Sequence, residues 1–437
     1  MAEPSTPPRP RMPRWVYSVL PVSLASGPLS TLIQLHLIQL NGPTLGVIYA
    51  GLAVSAFNGV SIPAAMFWGY TVDQLHSRRS MIVASYFLEG LVLLAFGLIN
   101  STSGTILIYS VFAFVSAAAA TPLNLLIMES EPKTSWAGAF ARLSMMSGIG
   151  NVAGLILSTV WAQALPIVLL SIPLGNLAVI SAAIALITVK DPTLNLEEET
   201  IVRRASSFFA RLLSLPLFFI RIPRPADFRR VFRGLRYELT SYVPLFYIST
   251  VLFYFSSGIF NTSFVPALSN FSLSAGETFA VILTGMVVQT LAFQYAGGYI
   301  ARRSLVTTSI QGLLLRGGCY LLFGVSAVVV AGTRFIIPAL ILYPLGAGAA
   351  YVAYYTSSNT MMFNMVQGRS PGSALGVYSA VVGIATLSGS LISGFVSVYA
   401  GFDVTFISAA VLLFAAAWVV SRLPARSEHS PPSSAEG

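Results

Sequence analysis

Apolar residues in this chain run in about twelve blocks, each roughly 20–25 residues long, set apart by short polar interruptions. One α-helix of that length crosses the roughly 30 Å hydrocarbon core of a bilayer, because each residue adds about 1.5 Å. The blocks lie at 15–39, 44–68, 81–100, 105–128, 138–160, 165–188, 242–266, 276–297, 305–329, 335–358, 374–399 and 404–421. They predict an all-α polytopic membrane protein with twelve transmembrane helices. Several interruptions are only a few residues, such as Asn41-Gly42-Pro43 and Ser101-Thr102-Ser103-Gly104, so neighbouring spans must run antiparallel. Composition agrees: 55% of residues are hydrophobic and 9% charged, too few charges for a soluble surface of this size.

Charge then orients the chain. Of the 24 Lys and Arg residues, Arg142 and Arg316 lie within spans and Arg334 in an outer connection. With the N-terminus placed in the cytoplasm, the other 21 all fall on that side. Setting aside the ten in the central connection still leaves 11 against 1, a strong positive-inside bias. An even number of spans returns the C-terminus to the cytoplasm. The net charge of +9 is thus explained by basic residues facing anionic headgroups, and no nucleic-acid partner is expected. The single cysteine, Cys319, can form neither an intrachain disulfide nor a cysteine metal cluster.

The chain divides as a tail at 1–14, spans at 15–189, a connection at 190–241, spans at 242–422 and a disordered tail at 423–437. Within the connection, Ile201, Ala205, Phe208 and Leu212 recur at helical spacing beside Arg203, Arg204 and Arg211. That pattern predicts an amphipathic helix on the inner leaflet. The two sets of spans repeat one another. A shift of 235 residues carries Thr121 and Asn124 onto Thr356 and Asn359. It also carries Ala139, Ser144, Gly148, Ile149, Gly154 and Ser158 onto Ala374, Ser379, Gly383, Ile384, Gly389 and Ser393. A shift of 229 carries Gly69-Tyr70 onto Gly298-Tyr299, each followed by paired arginines, Arg78-Arg79 and Arg302-Arg303. Two pseudo-symmetric six-helix bundles with an internal repeat form a transporter architecture.

Between spans 2 and 3 the chain reads Gly69-Tyr-Thr-Val-Asp73-Gln-Leu-His-Ser-Arg78-Arg79, a glycine, three residues, an aspartate and then a basic cluster. With its weaker copy at Gly298, Arg302 and Arg303, this motif resembles the signature of the major facilitator superfamily. The resemblance covers residues from about 15 to 422. Gln74 stands where that family usually has a basic residue, and its usual glycine is missing, with His76 or Ser77 in place. The resemblance implies that Gly69, Asp73, Arg78, Arg79, Gly298, Arg302 and Arg303 form a cytoplasmic latch between the halves. Asp73 could serve it by meeting a helix N-terminus and arginine donors. It further implies a central cavity lined by helices 1, 4, 7 and 10. On this chain those helices supply Gln34, His36 and Gln39, then Thr121 and Asn124, then Tyr247, Tyr254 and Asn261, and finally Tyr351, Tyr354, Tyr355 and Asn359. Tyrosines with scattered amides suit amphipathic or aromatic solutes.

Ionisable groups deep in a membrane are costly and are functional candidates for that reason. Three qualify. Glu89 lies about 15 Å in from Arg79 at 1.5 Å per residue, Arg316 near mid-depth, and Arg142 about a turn and a half beyond the interface. Glu89 is open to three readings: a proton carrier for coupling, a structural partner of Arg142, or a polar residue facing the lumen. Arg316 is a candidate for binding an anionic solute. Glu277, three residues after Ser274, reads as a capping box.

Absences narrow the function. The only lysines, Lys133 and Lys190, follow Pro132 and Val189, so no P-loop exists. No GxSxG or HExxH pattern occurs, and neither a catalytic residue nor a metal site nor a cofactor is expected. The chain is therefore expected to be no enzyme but a secondary active transporter of the cell membrane. It moves a small solute by alternating access, with H+ the expected coupling ion, as a monomer in the bilayer. The alternative is a non-transporting sensor or scaffold built on the same fold.

Overall fold

The structure, a computed structural model, describes residues 13–75, 77–130, 136–190, 243–300, 303–366 and 371–423. The expected amphipathic helix, both tails, His76 and Arg302 lie outside the described residues. A 3₁₀ turn (Arg14–Ser18) leads into α1 (Val19–Ser26), followed by α2 (Leu29–Leu75), α3 (Arg78–Phe96), α4 (Thr102–Ser130), α5 (Trp136–Ala164) and α6 (Ser171–Thr188). The second half holds α7 (Val243–Asn270), α8 (Ala275–Ile300), α9 (Leu305–Val329), α10 (Ile336–Tyr343), α11 (Tyr351–Val366), α12 (Pro371–Tyr399) and α13 (Phe402–Ser421).

Among the described residues, eleven stretches are long and apolar enough to cross a membrane, one fewer than the blocks in the sequence. The difference lies in the first, Arg14–Gly69, which runs 56 residues. Gly42 breaks it with φ 76° and ψ 177°, a left-handed φ that glycine adopts without steric cost. Pro43 follows, its fixed φ suited to the first turn of the next helix. The corner is pinned. Asn41 Nδ2 donates to the Leu37 carbonyl at 3.0 Å, and Thr102 Oγ1, at the start of α4, donates to Asn41 Oδ1 at 2.8 Å. The block predicted at 335–358 is a single stretch made of three pieces: α10, a π-helical segment (Pro344–Ala350) and α11.

The same neighbours recur in both halves. α3 packs on α6 and α4 as α9 packs on α13 and α11. α1 packs on α5 and α6 as α7 packs on α12 and α13. Between halves, α2 packs on α12 and α5 on α8. The repeated small residues explain this. A methyl added at Gly154 would collide with the Leu24 carbonyl at the end of α1, and one at its counterpart Gly389 with the Phe255 carbonyl of α7. Their partners Gly148 and Gly383 face across the halves, where a methyl would stand 3.0 Å from Thr290 Oγ1 and 2.6 Å from Ile62 Cδ1. In lipid, helices associate through such close backbone approaches, because apolar side chains gain nothing by leaving one apolar medium for another. Large apolar side chains accordingly remain on outer faces: Ile187 is 80% exposed and Trp418 61%.

These approaches set a test of packing. Gly154→Ala and Gly389→Ala are each expected to lower stability by about 1–3 kcal/mol through overpacking. Gly318→Ala, where no atom lies within 4 Å of the new methyl, should instead gain up to about 1 kcal/mol from helix propensity. Thermal unfolding of the purified variants checks this. Equal melting of Gly389→Ala and wild type would show that the α7–α12 contact is looser than described.

Candidate functional site

Chain direction and the short connections place Arg14, Arg78, Arg79, Lys190, Arg303 and Arg422 at one end of the helices and Arg334 at the other. Between the halves lies a cavity of about 560 Å³. From the first half its wall takes Ser23, Ser26 and Ser30 near the junction of α1 and α2, and Phe57 and Asn58 from the middle of α2. Tyr86 and Glu89 of α3 follow, then Tyr109, Phe112 and Ser116 of α4, and Ser147 of α5. From the second half come Ser257, Gly258, Asn261 and Thr262 of α7, with Thr386 and Ser390 of α12. The wall is therefore apolar and aromatic with a scatter of hydroxyls and two amides, the composition of a small-molecule site. Ser23 Oγ and Ser147 Oγ lie 3.0 Å apart, and Asn58 Nδ2 donates to Ser390 Oγ at 3.4 Å across the two halves.

Glu89 is the one carboxylate on this wall. It is 3% exposed, and helical spacing sets it beside Tyr86, three residues earlier on the same face of α3. Ser85 Oγ reaches Glu89 Oε1 at 3.2 Å and the Val115 carbonyl at 2.8 Å. A pairing of Glu89 with Arg142 is not found among the described residues. Arg142 is half-buried near the start of α5 and off the cavity wall. Of the three sequence readings, the structure therefore gives Glu89 a place facing the cavity.

Other expected residues fall elsewhere. Helices 1, 4 and 7 do contribute to the cavity and Asn261 lines it, but helix 10 contributes none of its wall. Gln34 is buried a turn beyond Ser30 and donates to it at 3.2 Å. On α4, Asn124 continues the face of Ala120 one turn further, exposed, and Thr121 is rotated off that face. Tyr254 sits a turn beyond Gly258, buried. Tyr351 and Tyr355 stack on one another at 5.4 Å, Tyr354 stacks on Phe253 at 3.9 Å, and Asn359 follows half-buried on α11. Tyr351 and Tyr354 thus pack on Phe253 of α7, while Tyr355, 36% exposed, meets Phe293 of α8 edge-on at 5.9 Å. The wall residues that sequence reading passed over, Asn58, Ser147, Thr386 and Ser390, are single polar groups in α2, α5 and α12. Their only signal was polarity within an apolar block.

At the motif end, Arg78 Nη1 donates to the Val72 carbonyl at 3.2 Å, Arg79 to the Leu186 carbonyl, and Arg303 Nη1 to Gln311 Oε1 at 3.2 Å. A methyl added at Gly69 would meet no atom within 4 Å. The Asp73 side chain lies outside the described residues, as do Arg302 and the surroundings of Gly298.

Among the described residues Arg316 is the other buried charge. It is 1% exposed, midway along α9. Its Nε donates to Tyr320 Oη at 2.7 Å. Its guanidinium carbon lies 4.8 Å from the Phe253 ring centre, 5.3 Å from Tyr320 and 5.2 Å from Tyr351.

Comparison with known proteins accords with this architecture. An uncharacterised MFS-type transporter of Methanocaldococcus jannaschii is 21% identical over 339 residues, covering 75% of this chain and 74% of its own. Among solved structures, an auto-inhibited POT family peptide transporter superposes with a TM-score of 0.70 at 12% identity, covering 96% of this chain and 98% of that one. The nucleoside transporter NupG gives 0.64 at 14% identity, covering 94% and 98%. These likenesses show the fold. The sequence profile of the Major Facilitator Superfamily matches residues 18–352 and 246–437, and the chain belongs to that family of membrane transporters.

Proposed function

We propose that this protein is a secondary active transporter of the cell membrane that moves a small solute by alternating access, coupled to protons through Glu89. The observation that carries this reading is that the one carboxylate on the wall of the inter-half cavity is nearly sealed from solvent. A carboxylate there is costly to keep charged, so it can take up a proton when the cavity faces one side and release it when the cavity faces the other. The corner at Gly42-Pro43 supports counting Arg14–Gly69 as two crossings, twelve in all. The positive-inside bias supports placing the arginine-rich end in the cytoplasm.

The close approaches between halves support a rocking motion. They fall at Val47–Ile62 against Gly383–Gly394, and at Gly148–Gln163 against Gly276–Thr290. Among the described residues these contacts run from about mid-depth toward the end away from the arginines. Switching requires contacts between the halves to part on one side and form on the other, two states of similar energy biased by the solute and the proton.

Glu89→Gln is expected to abolish uptake driven by a pH gradient in proteoliposomes while leaving solute counterflow at the wild-type level. Driven uptake at the wild-type rate would remove Glu89 from the coupling role. A second test addresses the rocking. At Gly383 a Cβ would stand 2.7 Å from Ile62 Cγ1, within reach of a disulfide. In a Cys319→Ser background, oxidising Ile62→Cys with Gly383→Cys should stop both uptake and counterflow, and reductant should restore them. Undiminished counterflow in the fully cross-linked protein would exclude rocking about this contact.

A further inference from the structure

The buried guanidinium of Arg316 has no countercharge among the described residues. Between residues 243 and 423 the chain carries only two carboxylates, Glu277 and Asp403. Glu277 begins α8, where it accepts from the Ser274 backbone N–H at 2.7 Å and from Ser274 Oγ at 2.9 Å. Asp403 begins α13. Both stand in the first turns of helices at the end away from the arginines, while Arg316 stands eleven residues into the 25-residue α9. An arginine keeps its charge in a protein, and an uncompensated buried charge is strongly unfavourable. Three aromatic faces and one tyrosine hydroxyl offset part of that, and Nη1 is left buried with no hydrogen-bond partner. Such rings attract a cation through their quadrupole, but they accept none of its remaining N–H bonds.

Two further features mark the place. The π-helical segment Pro344–Ala350 ends immediately before Tyr351, and π-helical turns within α-helices concentrate at functional sites. The aromatic cage is linked to the cavity along α7. Phe253 meets Tyr254 edge-on at 5.0 Å, and Tyr254 shares the face of α7 that carries Gly258 and Asn261 on the cavity wall, one and two turns on.

We propose that Arg316 is a recognition site for an oxyanion on the transported solute, a carboxylate or a phosphate-type group, which enters from the cavity side and supplies the missing countercharge. The aromatic cage holds the cation while the carrier is empty. The anion then takes the unpartnered Nη1 and displaces a ring face, giving the charge-assisted, two-pronged pairing that a guanidinium makes with such groups. The inference relies on the transport reading for the passage of the solute, but binding can be measured without transport.

The experiment is thermal unfolding of the purified full-length protein with acetate, benzoate and inorganic phosphate, each beside acetamide, benzamide or trimethyl phosphate, at constant ionic strength. At least one anion should raise the melting temperature by a few degrees where its neutral counterpart does not, since a ligand that binds only the folded state stabilises it. In Arg316→Met the shift should vanish while the empty protein melts at or above the wild-type temperature, because an unpaired buried charge has been removed. Arg316→Lys keeps the charge and loses the fork, so it should bind the same anion about tenfold more weakly. The proposal is overturned if no anion outperforms its neutral counterpart, if the shift survives in Arg316→Met, or if both Arg316 variants fail to fold, which would make the arginine a structural cation. An intact anion shift with failed proton-driven uptake would count against the transport reading alone.

Discussion

Lipid gives apolar helices no reason to leave it for one another, so this fold depends on how closely backbones can approach. Glycines set that distance. At Gly154 and Gly389 the helix surface is bare enough for the neighbouring carbonyls of Leu24 and Phe255 to sit where a methyl group would be. One turn or two away, Gly148 and Gly383 perform the corresponding service between the halves. A single helix, α5 or α12, therefore carries two kinds of contact on two faces. One binds it into its own half and the other presses it on the opposite half. The hydroxyls differ between the halves: Ser158 donates to the Gly154 carbonyl of its own helix at 2.7 Å, whereas its counterpart Ser393 donates to the Ile259 carbonyl of α7 at 2.6 Å and bonds Ser263. Small residues that look inconspicuous in an apolar block are where the structure is held.

That explains what could be read from the sequence and what could not. Span positions were legible because twenty-odd apolar residues have one stable form in a bilayer, a helix with all its backbone groups satisfied. The repeat was legible because Gly148, Gly154 and Ser158 recur in order 235 residues on, and the equivalent contacts bear out the correspondence. The lining of the cavity was not legible. In a span that is apolar all round, no stripe distinguishes the face toward lipid from the face toward a neighbour or a lumen, so Thr121, Tyr351 and Tyr355 looked as suitable as Ser147 or Thr386. Nor did the sequence disclose that Glu89 would be held through Ser85 in place of Arg142, since pairing across helices depends on rotation about axes that composition leaves free. The π-helical segment ahead of Tyr351 left no signature beyond Pro344 and the glycines that follow it.

The two buried charges are placed differently with respect to the gap between halves. Glu89 stands on the cavity wall with a single hydroxyl partner, so its environment changes with whatever enters. Arg316 stands behind a screen of rings belonging to its own half, so its environment changes only when those rings shift. Each half thus contributes one strong charge at mid-depth, one displayed and one screened.

The corner at Gly42 has a mechanical meaning. Most connections in a helical bundle contain slack that lets one helix tilt while its neighbour stays put. Here the polypeptide turns at one residue of left-handed φ, the next residue is a proline with a fixed φ, and Asn41 links the turn to Thr102 at the head of α4. The arm of α2 that bears Ser30 and the arm that presses on α12 consequently meet at this corner, which is tied to a third helix. A change at this corner is therefore felt on both arms at once, at the cavity wall and at the contact between the halves.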